Sequence, residues 1–272
     1  MIERSPLPGW QLMAGDEILA NPKVLSDFSP VVRFYCWIPS AVSLGVHQSA
    51  NAVDHDKCTE HGWDIVRRPT GGRALLHHRD LSYSVTLAGG SESPHRLKDI
   101  YEAVAKAWIE TFAKFGLVAE LVQSGRGSHE GTAHLRDGLC LDSRVRGELI
   151  SSGKKIAAAA QRVYAQTLLQ HGSVIMTGDV SAIADTLPID ETAKNIAASN
   201  LRLSSISICE LINRELDTFD LIEAAIDPFE RHLNFEFVTD CIHEHELEAI
   251  HERRPFHDIH SAHQILPMVV NA

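Results

Sequence analysis

Three groups of residues in this chain could together do covalent chemistry. Cys140 offers a thiol, and it follows a Gly-, Arg-, His- and Ser-rich stretch from Ser124 to Gly138 whose composition predicts a display loop. The run Arg67-Arg68-Pro69-Thr70-Gly71-Gly72-Arg73-Ala74-Leu75-Leu76-His77 carries two adjacent glycines. Their backbone can take positive φ and bring N–H groups close to a carbonyl oxygen or an anion. Gly153-Lys154-Lys155 adds ammonium groups. A thiol nucleophile, amide donors for an oxyanion and a fixed cation are the ingredients of acyl transfer. Each piece alone has a plainer reading: Gly-Gly beside Arg is ordinarily a hairpin turn, and paired lysines ordinarily decorate one.

Other segments fall in step with these. Met13-Ala14-Gly15-Asp16-Glu17 resembles an MA-x-DE opening, and Trp37-Ile38-Pro39-Ser40 with Ser43-Leu44-Gly45 and Gln48 resembles a W-x-P-x-x-SLG-x-x-Q stretch. The double-glycine run resembles RR-x-TGGR-A-x-LH, and Gln161-Arg162 with Gln170-His171-Gly172-Ser173 resembles the end of an active-site hairpin. In this order, over residues 10 to 235, the chain resembles the lipoyl/biotinyl protein ligase superfamily, specifically its cysteine-dependent octanoyltransferases. The fold this implies is α/β (α+β), with mixed, largely antiparallel sheets flanked by helices.

In that family a nucleophilic cysteine precedes a lysine of the hairpin by a fixed interval, which Cys140 and Lys155 reproduce. The resemblance implies that Cys140 takes an octanoyl group from acyl carrier protein. A lysine of a lipoyl-carrier domain, the glycine cleavage H protein or the E2 of a 2-oxoacid dehydrogenase, then displaces the thiol. A free thiol has a pKa of about 8.5, so nearby Lys or Arg charge would enlarge its reactive fraction. Lys155 would stabilise the oxyanion or accept a proton. Arg68, Gly71, Gly72, Arg73, His77 and Gln161 would contact substrate. His77 would orient the loop or share proton traffic; in a strand only one of the adjacent His77 and His78 can face the site, and the resemblance selects His77. No cofactor and no metal is implied.

Two departures from the family pattern stand out. Ala158-Ala159 replace a usual Gly-Ser pair, which narrows the channel and removes a hydroxyl, and Leu141-Asp142-Ser143-Arg144-Val145 replace the aromatic and Pro-Ser residues expected after the cysteine. Three other readings stay open. One is a lipoate–protein ligase, which uses ATP and Mg and needs no Cys140. Another is an amidotransferase moving octanoyl between carrier domains, and the third is a non-catalytic acyl- or metal-binding relative. The preferred donor separates the enzymatic readings.

Composition narrows the classes. The 272 residues are 44% hydrophobic and 22% charged, ordinary for a globular enzyme. The formal net charge is −11, yet residues 67–162 hold 15 Lys+Arg against 10 Asp+Glu, so a locally basic segment sits in an acidic protein. A pI near 5.8 argues against nucleic acid. No apolar run has the roughly 18 residues of a membrane span, and the N-terminus lacks a signal-peptide stretch, so a cytoplasmic location is expected. The five cysteines are scattered without C-x-x-C spacing, so neither a disulfide framework nor a zinc ribbon is expected. Cys36 and Cys209 read as core residues.

Residues 1–240 read as the catalytic domain and 241–272 as a His-rich extension, docked or partly flexible. Within the first, 31–38 and 81–87 read as strands, and 148–160 as a hairpin around Ser151-Ser152-Gly153, followed by a strand at 172–176. Ile100, Val104, Trp108, Phe112 and Phe115 repeat at helical spacing, with Gly116 as the stop. Beyond residue 178 the pattern is helical. Ser207-Ile208-Cys209-Glu210 has capping-box spacing, and Phe219, Ile222, Ile226, Phe229 and Leu233 form a stripe that Pro228 is expected to kink or interrupt. His243, His245, His251, His257, His260 and His263 crowd the extension but lack a fixed ligand frame, so no metal is assigned.

Overall fold

The architecture follows from two long strands whose faces are both buried. In the computed structural model, which describes residues 7–21, 30–88, 94–122, 148–164 and 167–259, β5 (Asp80–Ala88) is buried at every position but the last. Its neighbour β9 (Thr167–Ile175) is almost equally covered. The aromatic and aliphatic face of β5 meets helices, and its Ser82, Ser84 and Thr86 face is also closed off. A strand covered on both sides must be central, and β5 and β9 form the middle of a six-stranded sheet.

Its other members are β1 (Val31–Tyr35), β6 (Glu120–Leu121), β7 (Leu149–Ser151) and β8 (Lys154–Val163), in the order β1-β5-β9-β8-β7-β6 with every neighbour antiparallel. A second sheet has the order β3-β2-β4, with β2 (Ala41–Leu44) parallel to β3 (Asp64–Arg67) and antiparallel to β4 (Leu75–His77). The sheets are therefore mixed and largely antiparallel, as the resemblance implies. Ser152 and Gly153, both at positive φ (49° and 74°), make the turn between β7 and β8, the geometry favoured by two-residue hairpins.

Helices cover these sheets. In chain order they are α1 (Gly9–Leu19), α2 (His55–Glu60), α3 (Pro94–Ala113), α4 (Glu191–Ser204), α5 (Ile208–Ile212), α6 (Thr218–Leu233), α7 (Glu244–Glu252) and α8 (Arg254–His257). The expected stripe of α3 places Val104, Trp108 and Phe112 fully inside, where Trp108 packs against Tyr83 and Phe229. Gly116, at φ 81°, supplies the stop. Ser207 caps α5 by accepting from Glu210 N at 3.2 Å. None of the helices among the described residues is long and apolar enough to cross a membrane.

Three expectations change. The first strand ends at Tyr35 rather than residue 38, and Cys36, expected in the core, is exposed. Cys209, by contrast, is buried as expected. Pro228 does not interrupt α6, which continues through it as one element. Proline removes the N–H that Ala224 O would accept, and Lys114 Nζ donates to that carbonyl instead at 2.8 Å. The orphaned acceptor is thus satisfied from the turn that follows α3.

Helices α7 and α8 pack against α1, while His260 and His263 lie outside the described residues. Arg253 reaches back with two donors to Glu17 on α1 (3.0 and 2.5 Å). His257 contacts Glu17 Oε2 at 2.8 Å through Nε2 and donates from Nδ1 to Arg67 O at 2.7 Å. One charge cluster therefore ties the C-terminal helices both to α1 and to the residue that leads into the double-glycine run.

Candidate active site

The double-glycine run is held by the arginine that precedes it. Arg68 is buried, and its guanidinium donates to Ser43 O (2.8 Å), Gly71 O (2.9 Å) and Arg73 O (2.7 Å). The fork spans β2 and both ends of the turn, a task for which guanidinium geometry is suited. Gly72 sits at φ 99°, where an L side chain is strained. A Cβ at Gly45 would collide with the carbonyl oxygen of Gly72, so the Ser43-Leu44-Gly45 motif and the Thr70-Gly71-Gly72 motif meet backbone to backbone. Val46 N donating to Thr70 O at 2.9 Å closes that contact.

Beneath this loop run two chains of hydroxyl, imidazole and carboxylate. In the first, Ser43 Oγ meets His77 Nε2 at 2.9 Å and His77 Nδ1 meets Asp80 Oδ2 at 2.8 Å. Trp37 stacks on the imidazole with ring centroids 4.0 Å apart, and Ser82 and Ser173 donate to the same Asp80 oxygen. In the second, Thr70 Oγ1 meets His171 Nε2 at 2.5 Å and His171 Nδ1 meets Asp16 Oδ2 at 3.1 Å. Arg33 and Tyr35 also donate to Asp16. Burial alone would push the Asp16 carboxyl up, but the Arg33 charge and the His171 contact outweigh it and hold it below its ordinary value. Desolvation lowers the pKa of His171, favouring the neutral ring. A neutral ring that gives its Nδ1 proton to Asp16 keeps Nε2 as acceptor for the Thr70 hydroxyl.

The geometry has the order of a hydrolase triad, yet it does a different task. Ser43 and Thr70 are fully buried, and neither is in the lining of the cavity beside them. The two imidazoles do, so each chain aims a ring and pins the start of a loop.

The cavity, about 230 Å³, is mostly apolar. One wall consists of Trp37, Arg68, Gly71, Gly72, Leu75 and His77. The other consists of Ala158, Ala159, Ala160 and Gln161 on β8 with His171 and Gly172 on β9. Gly172 is required there, because a Cβ would lie 2.5 Å from Ala158 O and 2.6 Å from the Tyr83 hydroxyl. Gln161 Nε2 donates to Gln170 Oε1 at 2.9 Å. Glu148 also lines the space, and its carboxylate pairs with Lys155 Nζ at 2.8 Å, both side chains being buried.

Five of the residues expected to contact substrate, Arg68, Gly71, Gly72, His77 and Gln161, are thus brought to one cavity, and His77 rather than His78 faces it. Arg73 is not in the lining, and its carbonyl serves Arg68. Lys155 stands behind Glu148 rather than in the lining itself. Cys140 lies outside the described residues, as does the segment 124–138. Among the other thiols, Cys58 is fully buried, and burial pushes it up to about 12, which makes it a poor nucleophile. The cluster Asp240, Cys241 and His243, with donor atoms within 4.8 Å of one another, is exposed and takes no part in the cavity.

Comparison with known proteins decides the family. The lipoyl protein ligase A/B catalytic domain matches residues 8–230. The chain belongs to this family. It is similar to octanoyltransferase LipM of Macrococcus caseolyticus (32% identical, covering 82% of this chain and 83% of that one) and of Bacillus subtilis (28%, covering 88% and 87%). Its fold is similar to that of a bi-partite lipoate protein ligase from Thermoplasma acidophilum, with TM-score 0.76 and 21% identity over 99% of this chain and 98% of that one. It is also similar to that of lipoate-protein ligase A bound with ATP, with TM-score 0.74 and 21% identity over 93% of each chain.

Within this family fold, sequence reasoning passed over Glu148, Asp80 and the buried Asp16-Arg33-Tyr35 group. A signal existed for Glu148: an acidic residue just ahead of β7 faces a lysine just past a two-residue turn. For Asp80 the signal was weaker, an acid three residues after His77 with only the short turn between β4 and β5 to bring it back.

Proposed function

We propose that this protein is an octanoyltransferase of protein lipoylation. It moves the octanoyl group from acyl carrier protein to Cys140 as a thioester and then to a lysine of a lipoyl-carrier domain, the glycine cleavage H protein or a 2-oxoacid dehydrogenase E2. The observation that carries this reading is the mostly apolar cavity between the double-glycine loop and the alanine run of β8. At about 230 Å³, it falls below the roughly 300–1,000 Å³ of drug-sized sites and suits a short acyl chain. Similarity to octanoyltransferases over most of the chain and the Cys140–Lys155 spacing support the same reading.

On this account the backbone N–H groups of the glycine loop receive the thioester carbonyl. The loop's rigidity matters because oxyanion stabilisation depends on donors already in place. Lys155 supplies fixed positive charge, and transfer needs neither ATP nor a metal.

Donor competition tests the proposal. The purified protein is offered octanoyl-acyl carrier protein, free octanoate with ATP and Mg, or an octanoylated carrier domain, each with an unmodified lipoyl domain as acceptor. Modification with the first donor alone is expected. Modification that requires ATP would replace this reading with a ligase, and a preference for the octanoylated domain would make the protein an amidotransferase.

A further inference from the structure

The family's catalytic domain matches the chain only as far as residue 230, yet the helices beyond it reach the root of the double-glycine run. We propose that His257, on α8, is a positioning residue for octanoyl transfer, holding the end of β3 from which that run departs. The inference rests on the octanoyl-transfer reading and adds a residue to it.

β3 is an edge strand, paired with β2 on one side. Its outer side meets the C-terminal segment. Val66 and Asp258 form an antiparallel bridge, and Arg67 O accepts from His257 Nδ1 at 2.7 Å. The imidazole is buried, and its Nε2 contacts Glu17 Oε2 at 2.8 Å, so the ring spans α1 and β3. Ile259 is buried too, in the apolar cluster that holds Leu44, Ile65, Ala74 and Leu76.

Arg67 passes this constraint on in two directions. Along the chain the next residue is Arg68, whose guanidinium spans the glycine loop. Through its own side chain, Arg67 Nη1 donates to Gly45 O at 3.0 Å and Gln48 O at 2.6 Å. Gly45 is the residue that abuts the Gly72 carbonyl. A group that fixes the Arg67 backbone therefore fixes both layers of the site, although its ring stands outside the cavity lining. Donors that receive an oxyanion must already be in place, and a displacement of about 1 Å can cost about 100-fold in rate.

The two ring nitrogens can be tested separately. Asparagine places its amide nitrogen as many bonds from Cα as Nδ1, and glutamine as many as Nε2. His257→Asn thus keeps a donor for Arg67 O and gives up Glu17, and His257→Gln does the reverse. In the full-length protein, kcat and KM for octanoyl-acyl carrier protein are measured with a lipoyl domain as acceptor, beside the urea unfolding midpoint. Hydrogen exchange is followed at the Arg68 and Val46 amides, which donate to Leu44 O and Thr70 O, both at 2.9 Å.

Positioning predicts opposite orders of stability and rate. H257N should unfold at lower urea than H257Q, because it gives up the Glu17 carboxylate, and yet be the faster enzyme and the better protected at both amides. The H257Q loss should reach as much as about 100-fold and fall on kcat rather than KM. Glu17→Gln, which weakens the same contact without altering the ring, takes the place of H257N if that variant does not fold. If His257 is only structural, rate follows stability and H257N is the slower, which overturns the inference. An H257Q with wild-type kcat, or one that does not fold, also overturns it. In a wild type that transfers no octanoyl the functional reading fails by itself, and exchange decides the brace: faster exchange in H257Q than in H257N upholds it, and equal rates overturn it.

Discussion

The two walls of the cavity are built on opposite plans. The glycine-loop wall is cross-braced: Arg68 ties three carbonyls, the His77 imidazole is fixed at both nitrogens, and Thr70 of the loop is clamped from across the cavity by His171, itself held by Asp16. The hairpin wall has small side chains, Ala158 to Ala160, and one buried ion pair, Lys155 with Glu148. A wall proposed to hold a developing oxyanion works only if its donors do not move, whereas a wall of small side chains leaves room for an acyl chain. The contrast predicts that substitutions on the first wall act chiefly through stability and geometry, and on the second through rate as well as stability.

The sharpest way to break that contrast is Lys155→Ala. Octanoyl transfer is expected to fall by about 100-fold or more. Stability should drop by about 3–5 kcal/mol because a buried carboxylate loses its partner, measured by urea unfolding alongside turnover. Turnover that survives would show that the hairpin wall is structural too.

Asp16→Ala probes the other wall. It strips the acceptor from Arg33, Tyr35 and His171 at once, and should cost about 3–5 kcal/mol. The fraction that remains folded should keep measurable thioester formation. A variant of normal stability with no activity would move Asp16 into the chemistry.

A third test lies at the clasp of the C-terminal helices on α1. Burial alone would raise the Glu17 carboxyl, but His257 and Arg253 overcome it and hold it down at about 2 instead of 4.5. Stability from a depressed acid is fully present above the unfolded value and is lost as pH falls through the folded one. Glu17→Gln should therefore lower unfolding stability by about 2 kcal/mol at pH 7, and the gap to wild type should close between pH 4.5 and pH 2. A gap that persists below pH 2 would assign the loss to packing.

The smallest effect is expected at Ala158→Gly. Removing one methyl from a pocket wall is worth about 1–3 kcal/mol in discrimination. The ratio of decanoyl to octanoyl transfer should rise by about tenfold or somewhat more, with little change in stability.

Much of this was readable from residue order. The central strands, the helix built on Val104, Trp108 and Phe112 and the Ser152-Gly153 turn follow from periodicity and turn chemistry, and the family resemblance picked out five residues that line the cavity. What was missed depends on contacts made far along the chain. Pro228 looks like a helix breaker because local sequence does not show that Lys114, in the turn after α3, will satisfy Ala224 O. Cys36 looks buried because its neighbours are apolar, yet the strand ends one residue before it. Asp16 and His171 are 155 positions apart, and only the packing of α1 against the large sheet joins them.

The measurement closest to the central claim is the intact mass of wild type and C140S after incubation with octanoyl-acyl carrier protein. Wild type is expected to gain one octanoyl group that hydroxylamine removes, and C140S to gain none and to leave the lipoyl domain unmodified. If C140S modifies the lipoyl domain as fast as wild type, no acyl-cysteine lies on the path, and the chemistry assigned to this cavity is wrong.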